Sequence, residues 1–334
     1  MTGQYDAEVE WLLTDSRSLC FPETTLFFAI RTERGDGHRY IQDLYSRGVR
    51  AFVVSALQEN LPGAVQLLVP DTLTALQRLA ERHREEFDIP VIGITGSNGK
   101  TTTKELVRAV LSAKYNVTAT EGNLNNSIGV PLTLLKVNSE TQIAVVEMGA
   151  SHPGDIKELV DIACPNFGLI TNVGKAHLLG FGSFEGVKAT KGELYDYLRR
   201  TADKAFINVD NPHLCQMASD RNMQHDPERS ESLLIPYGLE YQGAKVLPSS
   251  AEEPFLRIEL DGRVINTNLV GYGQVHVAVD AAALVPPTLK LLCVNVNRNN
   301  IFLIVRHTGN VANLKLIELF LKAFLTFAKF HRNS

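Results

Sequence analysis

Along this chain, short uninterrupted apolar runs are followed by polar loops and then by stretches with apolar residues at helical spacing. Buried parallel strands and their crossover helices produce that pattern. Residues 25–30, 49–55 and 65–69 are such runs, with helical patterns over 40–48 and 73–87. Asp88-Ile89-Pro90 interrupts the pattern. Proline biases its predecessor away from helix, so a domain boundary is expected there. The theme then resumes, with a strand over 91–95, a helix over 101–113 and further buried strands over 142–148, 168–172 and 205–208. The expected fold class is α/β. A small mixed α/β domain covers residues 1–88, and a central domain over 89–285 carries a mainly parallel sheet flanked by helices. Polar residues sit just past the carboxyl ends of its strands, the edge at which open parallel sheets bind ligands.

Residues 286–334 change the pattern. Pro286-Pro287 opens a segment with seven Lys or Arg against one acid, Glu318. Residues 314–330 are apolar around most of a helical wheel, a surface that favours self-association. The segment reads as an atypical basic and apolar tail.

Composition narrows the class. The 334 residues are 44% apolar, enough for a sizeable core, and the net charge of −4 argues against a general nucleic-acid binder. Cys20, Cys164, Cys215 and Cys293 form no CxxC pair, so neither a zinc site nor a disulfide framework is indicated. Residues 1–11 are acidic and lack the apolar core of a secretion signal, and no uncharged run is long enough to span a membrane. A cytoplasmic location is expected.

The sharpest chemistry lies in Ile92-Gly93-Ile94-Thr95-Gly96-Ser97-Asn98-Gly99-Lys100-Thr101-Thr102, a strand, a glycine-rich turn and a helix start. Gly96 and Gly99 let backbone N–H groups approach phosphate oxygens, and the helix N-terminus adds partial positive charge. Ser97, Asn98 and Thr102 complete the loop. Lys100 would reach the β- and γ-phosphates of ATP, and the Thr101 hydroxyl would ligate Mg²⁺. Ile94 stands where the strict Walker pattern has glycine, so this is a variant loop. The bland alternative is a glycine-rich βα turn.

Four other positions each have two readings. Glu147, ending a strand, is either a Mg²⁺ ligand or a solvated strand end. His177, in Asn172-Val173-Gly174-Lys175-Ala176-His177, is either a ligand or a hydrogen-bonded structural histidine. Lys191 would ordinarily lie on a solvated helix face. Asn123, Asn125 and Asn126 are either a polar binding cluster or an Asx-rich turn.

Taken together, these segments resemble the Mur ligases over about residues 12–275. Gly96-Ser97-Asn98-Gly99-Lys100-Thr101-Thr102-Thr103-Lys104-Glu105 is similar to the family's ATP loop. Gly122-Asn123-Leu124-Asn125-Asn126-Ser127-Ile128-Gly129-Val130-Pro131-Leu132 looks like the branch that adds D-alanyl-D-alanine, including the ligase half of a fused ligase–alanine racemase. Glu147-Met148-Gly149-Ala150-Ser151 and Ala176-His177-Leu178-Leu179-Gly180-Phe181-Gly182-Ser183 also match. Thr14-Asp15-Ser16-Arg17 and Gly35-Asp36-Gly37-His38 resemble segments holding the UDP-sugar end of the substrate.

The resemblance implies an ATP-dependent amide ligase of peptidoglycan precursor synthesis. Its substrates would be UDP-N-acetylmuramoyl-tripeptide and D-alanyl-D-alanine, joined through an acyl phosphate. It implies two Mg²⁺ ions held by Thr101, Glu147, His177 and a Lys191 carbamylated by CO₂, with Lys100, Glu147, His177 and Lys191 as the catalytic set. Ser16, Arg17, His38, Asn123, Asn125 and Asn126 become substrate-binding candidates.

Two departures qualify it. His276 and Val279 stand where the family carries asparagines that help seat adenine. Residues 286–334 do not resemble the family's third domain, so impaired turnover is expected. The rival readings are a nucleotide- and precursor-binding fragment without turnover and a folylpolyglutamate synthase-like ligase. A generic P-loop NTPase is disfavoured by Ile94.

Overall fold

The computed structural model describes residues 9–32, 35–174, 178–224, 232–238, 245–247, 255–260, 263–270, 290–297 and 300–306. The chain divides into two compact units, Met1–Arg82 and His83–Ser334.

In the first unit, strands β1 (Trp11–Leu13) and β2 (Thr25–Phe28) precede a short hairpin of β3 (Arg31–Thr32) and β4 (Gly35–Asp36). Helix α1 (Ile41–Ser46), β5 (Ala51–Val54) and β6 (Val65–Leu68) follow, and α2 (Thr72–Glu85) runs across the division between units. The expected strands 25–30, 49–55 and 65–69 are β2, β5 and β6, each shorter than its apolar run. Together with β1 they form a parallel sheet in the order β1-β2-β5-β6. Phe27, Ile41, Leu44 and Phe52 fill its core.

The second unit is organised by one six-stranded parallel sheet. Its elements run β7 (Val91–Thr95), α3 (Lys100–Leu111), β8 (Val117–Ala119), α4 (Gly129–Leu134), β9 (Ile143–Glu147), α5 (Asp155–Ala163) and β10 (Phe167–Ile170). They continue with α6 (Leu178–Phe181), α7 (Phe184–Thr201), β11 (Lys204–Asn208), α8 (Pro212–Ser219) and β12 (Leu234–Tyr237). The strand order is β12-β11-β10-β7-β9-β8, every pair parallel.

All five residues of β7 and of β9 are buried, as expected of strands covered on both faces. Ile92, Ile94, Val145, Leu169 and Phe206 pack together across them. The chain leaves β7 toward β8 and β9, then crosses to the other side for β10. That reversal makes the carboxyl edge around β7, β9 and β10 the topological switch point. Register places Glu147 beside Ile94 and Ile170 beside Thr95, so the polar strand ends stand level.

Farther along, β13 (Lys245–Leu247), β14 (Phe255–Leu260) and β15 (Arg263–Val270) form an antiparallel sheet. A hairpin follows, of β16 (Lys290–Asn297) and β17 (Asn300–Arg306). The helical pattern read over 314–330 lies outside the described residues, as do His177, His276 and Val279. Among the described residues no helix is long and apolar enough to cross a membrane.

Candidate active site

The phosphate loop leaves β7 at Thr95, whose hydroxyl donates to the Met148 carbonyl at 2.8 Å and ties the loop's root to the end of β9. Gly96 has φ 143°, and a Cβ there would stand 2.0 Å from Thr171 Oγ1, so only glycine fits. The loop is strapped to the residues after β10. Ser97 N–H donates to the Asn172 carbonyl at 3.0 Å, and Asn98 N–H donates to Asn172 Oδ1 at 3.1 Å. In return the Asn98 carbonyl accepts from Thr171 Oγ1 at 2.6 Å and Asn172 Nδ2 at 3.0 Å.

Helix α3 starts directly behind the loop, and no side chain caps it. An uncapped helix N-terminus carries N–H donors and partial positive charge suited to an anion. Lys100, half-buried, folds back so that Nζ donates to the Gly96 carbonyl at 2.9 Å and the Ser97 carbonyl at 3.4 Å. Burial pushes its pKa down, and the Glu147 carboxylate opposes that shift.

Glu147 ends β9 and is 1% exposed. Its Oε1 accepts from Asn125 Nδ2 at 2.8 Å and from Thr101 Oγ1 at 3.1 Å. Its N–H donates to Thr120 Oγ1 at 2.9 Å. Its Oε2 is buried without a hydrogen bond, and the ammonium of fully buried Lys104 lies 4.0 Å away. Lys104 itself donates to the Thr120 carbonyl at 2.6 Å and pairs with Glu105 at 2.9 Å.

This donor set fits the implied metal. A hydroxyl and a carboxylate with an unsatisfied buried oxygen, beside a phosphate cradle, suit Mg²⁺, which binds through one or two carboxylates together with phosphate oxygens. Among the described residues no group of three or more His, Cys, Asp or Glu side chains could hold a metal on its own.

Lys191 lies on α7 and is 2% exposed, which sets aside the solvated-face reading. Its ammonium sits 5.5 Å from the centre of the Phe181 ring. Burial first, and then the Lys100 charge, lower its pKa to about 8, with Asp155 and Glu193 pulling against them. Two residues along α7, Glu193 caps α5. Its carboxylate accepts from Gly154 N–H at 2.8 Å and Lys157 N–H at 2.7 Å. A cavity of about 370 Å³ opens beside Lys100, walled by Asn125, Asn126, Ser127, Gly149 and Asp155 among others.

The asparagine cluster separates by duty. Asn125 reaches Glu147. Asn126 Oδ1 accepts from Ile128 N–H at 3.1 Å and Gly129 N–H at 2.8 Å, so it starts α4. Asn123 is exposed.

In the first unit the candidate residues are engaged locally. Arg17 forks onto Asp15, at 2.9 Å from Nε and 2.6 Å from its outer nitrogen, and Ser16 offers its carbonyl to Arg47 at 3.0 Å. Ser55 N–H donates to His38 Nε2 at 2.9 Å, so the ring carries its proton on Nδ1 and donates it to Asp36 at 2.6 Å. Both ring nitrogens are thereby occupied.

Sequence reasoning assigned no separate role to Lys104, Thr120 or Glu193. Only the strand that covers Lys104 and the helix start that meets Glu193 reveal them. The Thr171-Asn172 strap had a signal, as a polar pair past an apolar strand.

A parallel sheet with a glycine-rich loop, an uncapped helix start and a strand-end glutamate at its switch point defines a phosphate-loop, nucleotide-binding class of architecture. The Mur ligase middle domain model matches residues 94–284, and the chain belongs to the Mur ligase family. It is 41% identical over 219 residues to the UDP-N-acetylmuramoyl-tripeptide–D-alanyl-D-alanine ligase of Bacillus subtilis, covering 64% of this chain and 48% of that protein. The Synechocystis ligase of the same name is 44% identical over 214 residues, 64% of this chain and 46% of that protein. The chain thus spans about half the length of the curated relatives it matches.

Among solved structures, MurF from Acinetobacter baumannii superposes with a TM-score of 0.70 at 29% identity, covering 84% of this chain and 59% of that one. MurF ligase from Thermotoga maritima in complex with ADP gives 0.64 at 29% identity, covering 82% and 61%.

Proposed function

We propose that this chain is the nucleotide- and precursor-binding portion of an ATP-dependent amide ligase that adds D-alanyl-D-alanine to UDP-N-acetylmuramoyl-tripeptide. The domain reading of 1–88, 89–285 and 286–334, and a cytoplasmic setting, belong to the same proposal. The observation that carries it is the convergence of Lys100, Thr101 and Glu147 at the switch-point edge. The identity to two D-alanyl-D-alanine ligases over residues that include the asparagine loop supports the branch.

In this reading the loop residues Gly96, Ser97, Asn98, Gly99, Lys100, Thr101 and Thr102 cradle the ATP phosphates. A carboxylate oxygen of the tripeptide attacks the γ-phosphorus and ADP leaves, giving an acyl phosphate. The amine of D-alanyl-D-alanine then attacks the acyl carbon, phosphate leaves and the nitrogen loses a proton. Lys100 neutralises charge on the transferring phosphoryl group. Thr101, Glu147, His177 and a carbamylated Lys191 would hold two Mg²⁺ ions, which supply further neutralisation of phosphate charge.

A lysine with a pKa of about 8 keeps roughly a tenth of its amine neutral at pH 7, and that is the form that adds to CO₂ with loss of a proton. Ser16, Arg17, His38, Asn123, Asn125 and Asn126 are proposed to serve the UDP-precursor, His38 through the loop it fixes. Self-association through residues 314–330 is proposed on sequence grounds alone.

The test is single-turnover trapping of acyl phosphate with purified chain, ATP, Mg²⁺, bicarbonate and UDP-muramoyl-tripeptide. Acyl phosphate that falls when bicarbonate is withdrawn supports the assignment. ATP binding with no acyl phosphate favours the second reading, a binding fragment without turnover, which the chain's span of about half its relatives motivates. No ATP binding overturns both.

A further inference from the structure

We propose that Asn125 is a positioning residue that holds the Glu147 carboxylate in place for its cation, a duty separate from any contact with the precursor. The proposal rests on the reading of Glu147 as a Mg²⁺ ligand.

Glu147 is buried at the end of a strand, and only one of its carboxylate oxygens is hydrogen-bonded. The orientation of the carboxylate therefore depends on what grips Oε1. Of its two donors, Asn125 Nδ2 at 2.8 Å is closer than Thr101 Oγ1 at 3.1 Å. The amide must present its NH₂ side there, because its oxygen would repel a carboxylate. Thr101 is itself assigned to the cation, whereas Asn125 has no such second task.

The backbone locks Asn125 to the same strand end. Gly149 N–H donates to the Asn125 carbonyl at 2.7 Å. Asn126 anchors the next turn through Ile128 and Gly129. Position 149 also leaves the space the amide needs, since a Cβ there would stand 2.8 Å from Asn125 Oδ1 and 3.0 Å from its Cγ. Asn125 also walls the cavity beside Lys100, so one residue joins the cavity loop to the metal carboxylate.

The experiment is Mn²⁺ binding to the ADP complex of the full chain, followed by electron paramagnetic resonance. It uses wild type, Asn125→Leu, Glu147→Gln and the double variant. Partners that orient metal ligands are typically worth roughly ten- to a hundredfold in affinity. Asn125→Leu is expected to weaken Mn²⁺ by that factor. In the Glu147→Gln background the same substitution should change Mn²⁺ affinity by less than about twofold, because residues acting through one contact are not additive.

Gly149→Ala leaves both Asn125 and Glu147 in the sequence but crowds the Asn125 amide, and should reproduce part of the loss. If Asn125→Leu loses cooperative unfolding, Asn125→Ser is read the same way. Wild-type Mn²⁺ affinity in the Asn125 variant, or an equal loss in the Glu147→Gln background, overturns the proposal. Unchanged Mn²⁺ affinity in Glu147→Gln alone instead overturns the metal reading of Glu147, and the positioning role with it.

Discussion

The two units both place polar residues beside the ends of parallel strands, and they treat them in opposite ways. In the first unit the carboxylates Asp15 and Asp36 are satisfied within their own loops. Asp15 is clamped by Arg17, and Asp36 accepts from His38 and from Arg31 at 2.9 Å. At the switch-point edge of the second unit, Glu147 and Lys100 are left partly unsatisfied. Glu147 keeps a buried oxygen without a hydrogen bond, and Lys100 donates only to carbonyls of its own loop. Neutral carbonyls are weak competitors for an ammonium, and phosphate oxygens make stronger charge-assisted bonds. Polar strand ends that complete each other build structure, while those left incomplete are poised for a ligand.

Substitutions in the second unit should therefore register on binding, and the largest effect is expected at Lys100. Lys100→Ala removes a charge-assisted contact worth about 1.5–3 kcal/mol, tenfold or more in ATP affinity. Calorimetry with Mg²⁺ present measures it, and unchanged affinity would sink the contrast between the units.

Gly96→Ala comes next and reads on stability as well. The new Cβ meets Thr171 Oγ1, and φ 143° is unfavourable for any side chain. The expected cost is about 1–3 kcal/mol in urea unfolding. A variant as stable as wild type would show that the strap between the loop and the end of β10 is loose.

How legible all this was in the sequence depended on what fixes each residue. The strand over 91–95 coincides with β7 because Pro90 and Gly96 bound an apolar run. The helix expected from residue 101 starts one residue earlier, because Gly99 at φ 78° ends the loop without a side-chain cap. The phosphate loop was readable because backbone shape, and hence glycine placement, defines it.

Asn125 and Asn126 could not be told apart in sequence. They are neighbours of one residue type, and only the direction of the backbone sends one to Glu147 and the other to the start of α4. Lys104 was equally hidden, since a lysine on a helix normally reads as solvated. Its burial comes from contacts far along the chain, with the Thr120 carbonyl and the Glu147 carboxylate. Lys191 looked like a surface residue for the same reason.

The smallest expected effect sharpens the other side of the comparison. The His38 N–H is the main influence holding the Asp36 carboxyl down at about 2, with burial opposing it and the His38 and Arg31 side chains adding to it. A carboxylate whose folded pKa lies below its ordinary 3.8 contributes stability that is complete above that value. That contribution is lost as pH falls toward about 2. Asp36→Asn keeps an oxygen that can accept from the His38 N–H but has nothing to titrate. The stability difference between wild type and Asp36→Asn should therefore be constant near neutral pH and shrink between about pH 4 and pH 2. The Asp36 side chain is 34% exposed, so solvent screening limits the contribution to less than about 1 kcal/mol. Trp11, the single tryptophan, lies on β1 of this unit and reports its unfolding by fluorescence. Other carboxylates titrate equally in both proteins and cancel in the difference. A difference that stays flat down to pH 2 would mean that Asp36 is not held by its own loop. The first unit would then keep an unsatisfied charge of the kind the second displays at Glu147.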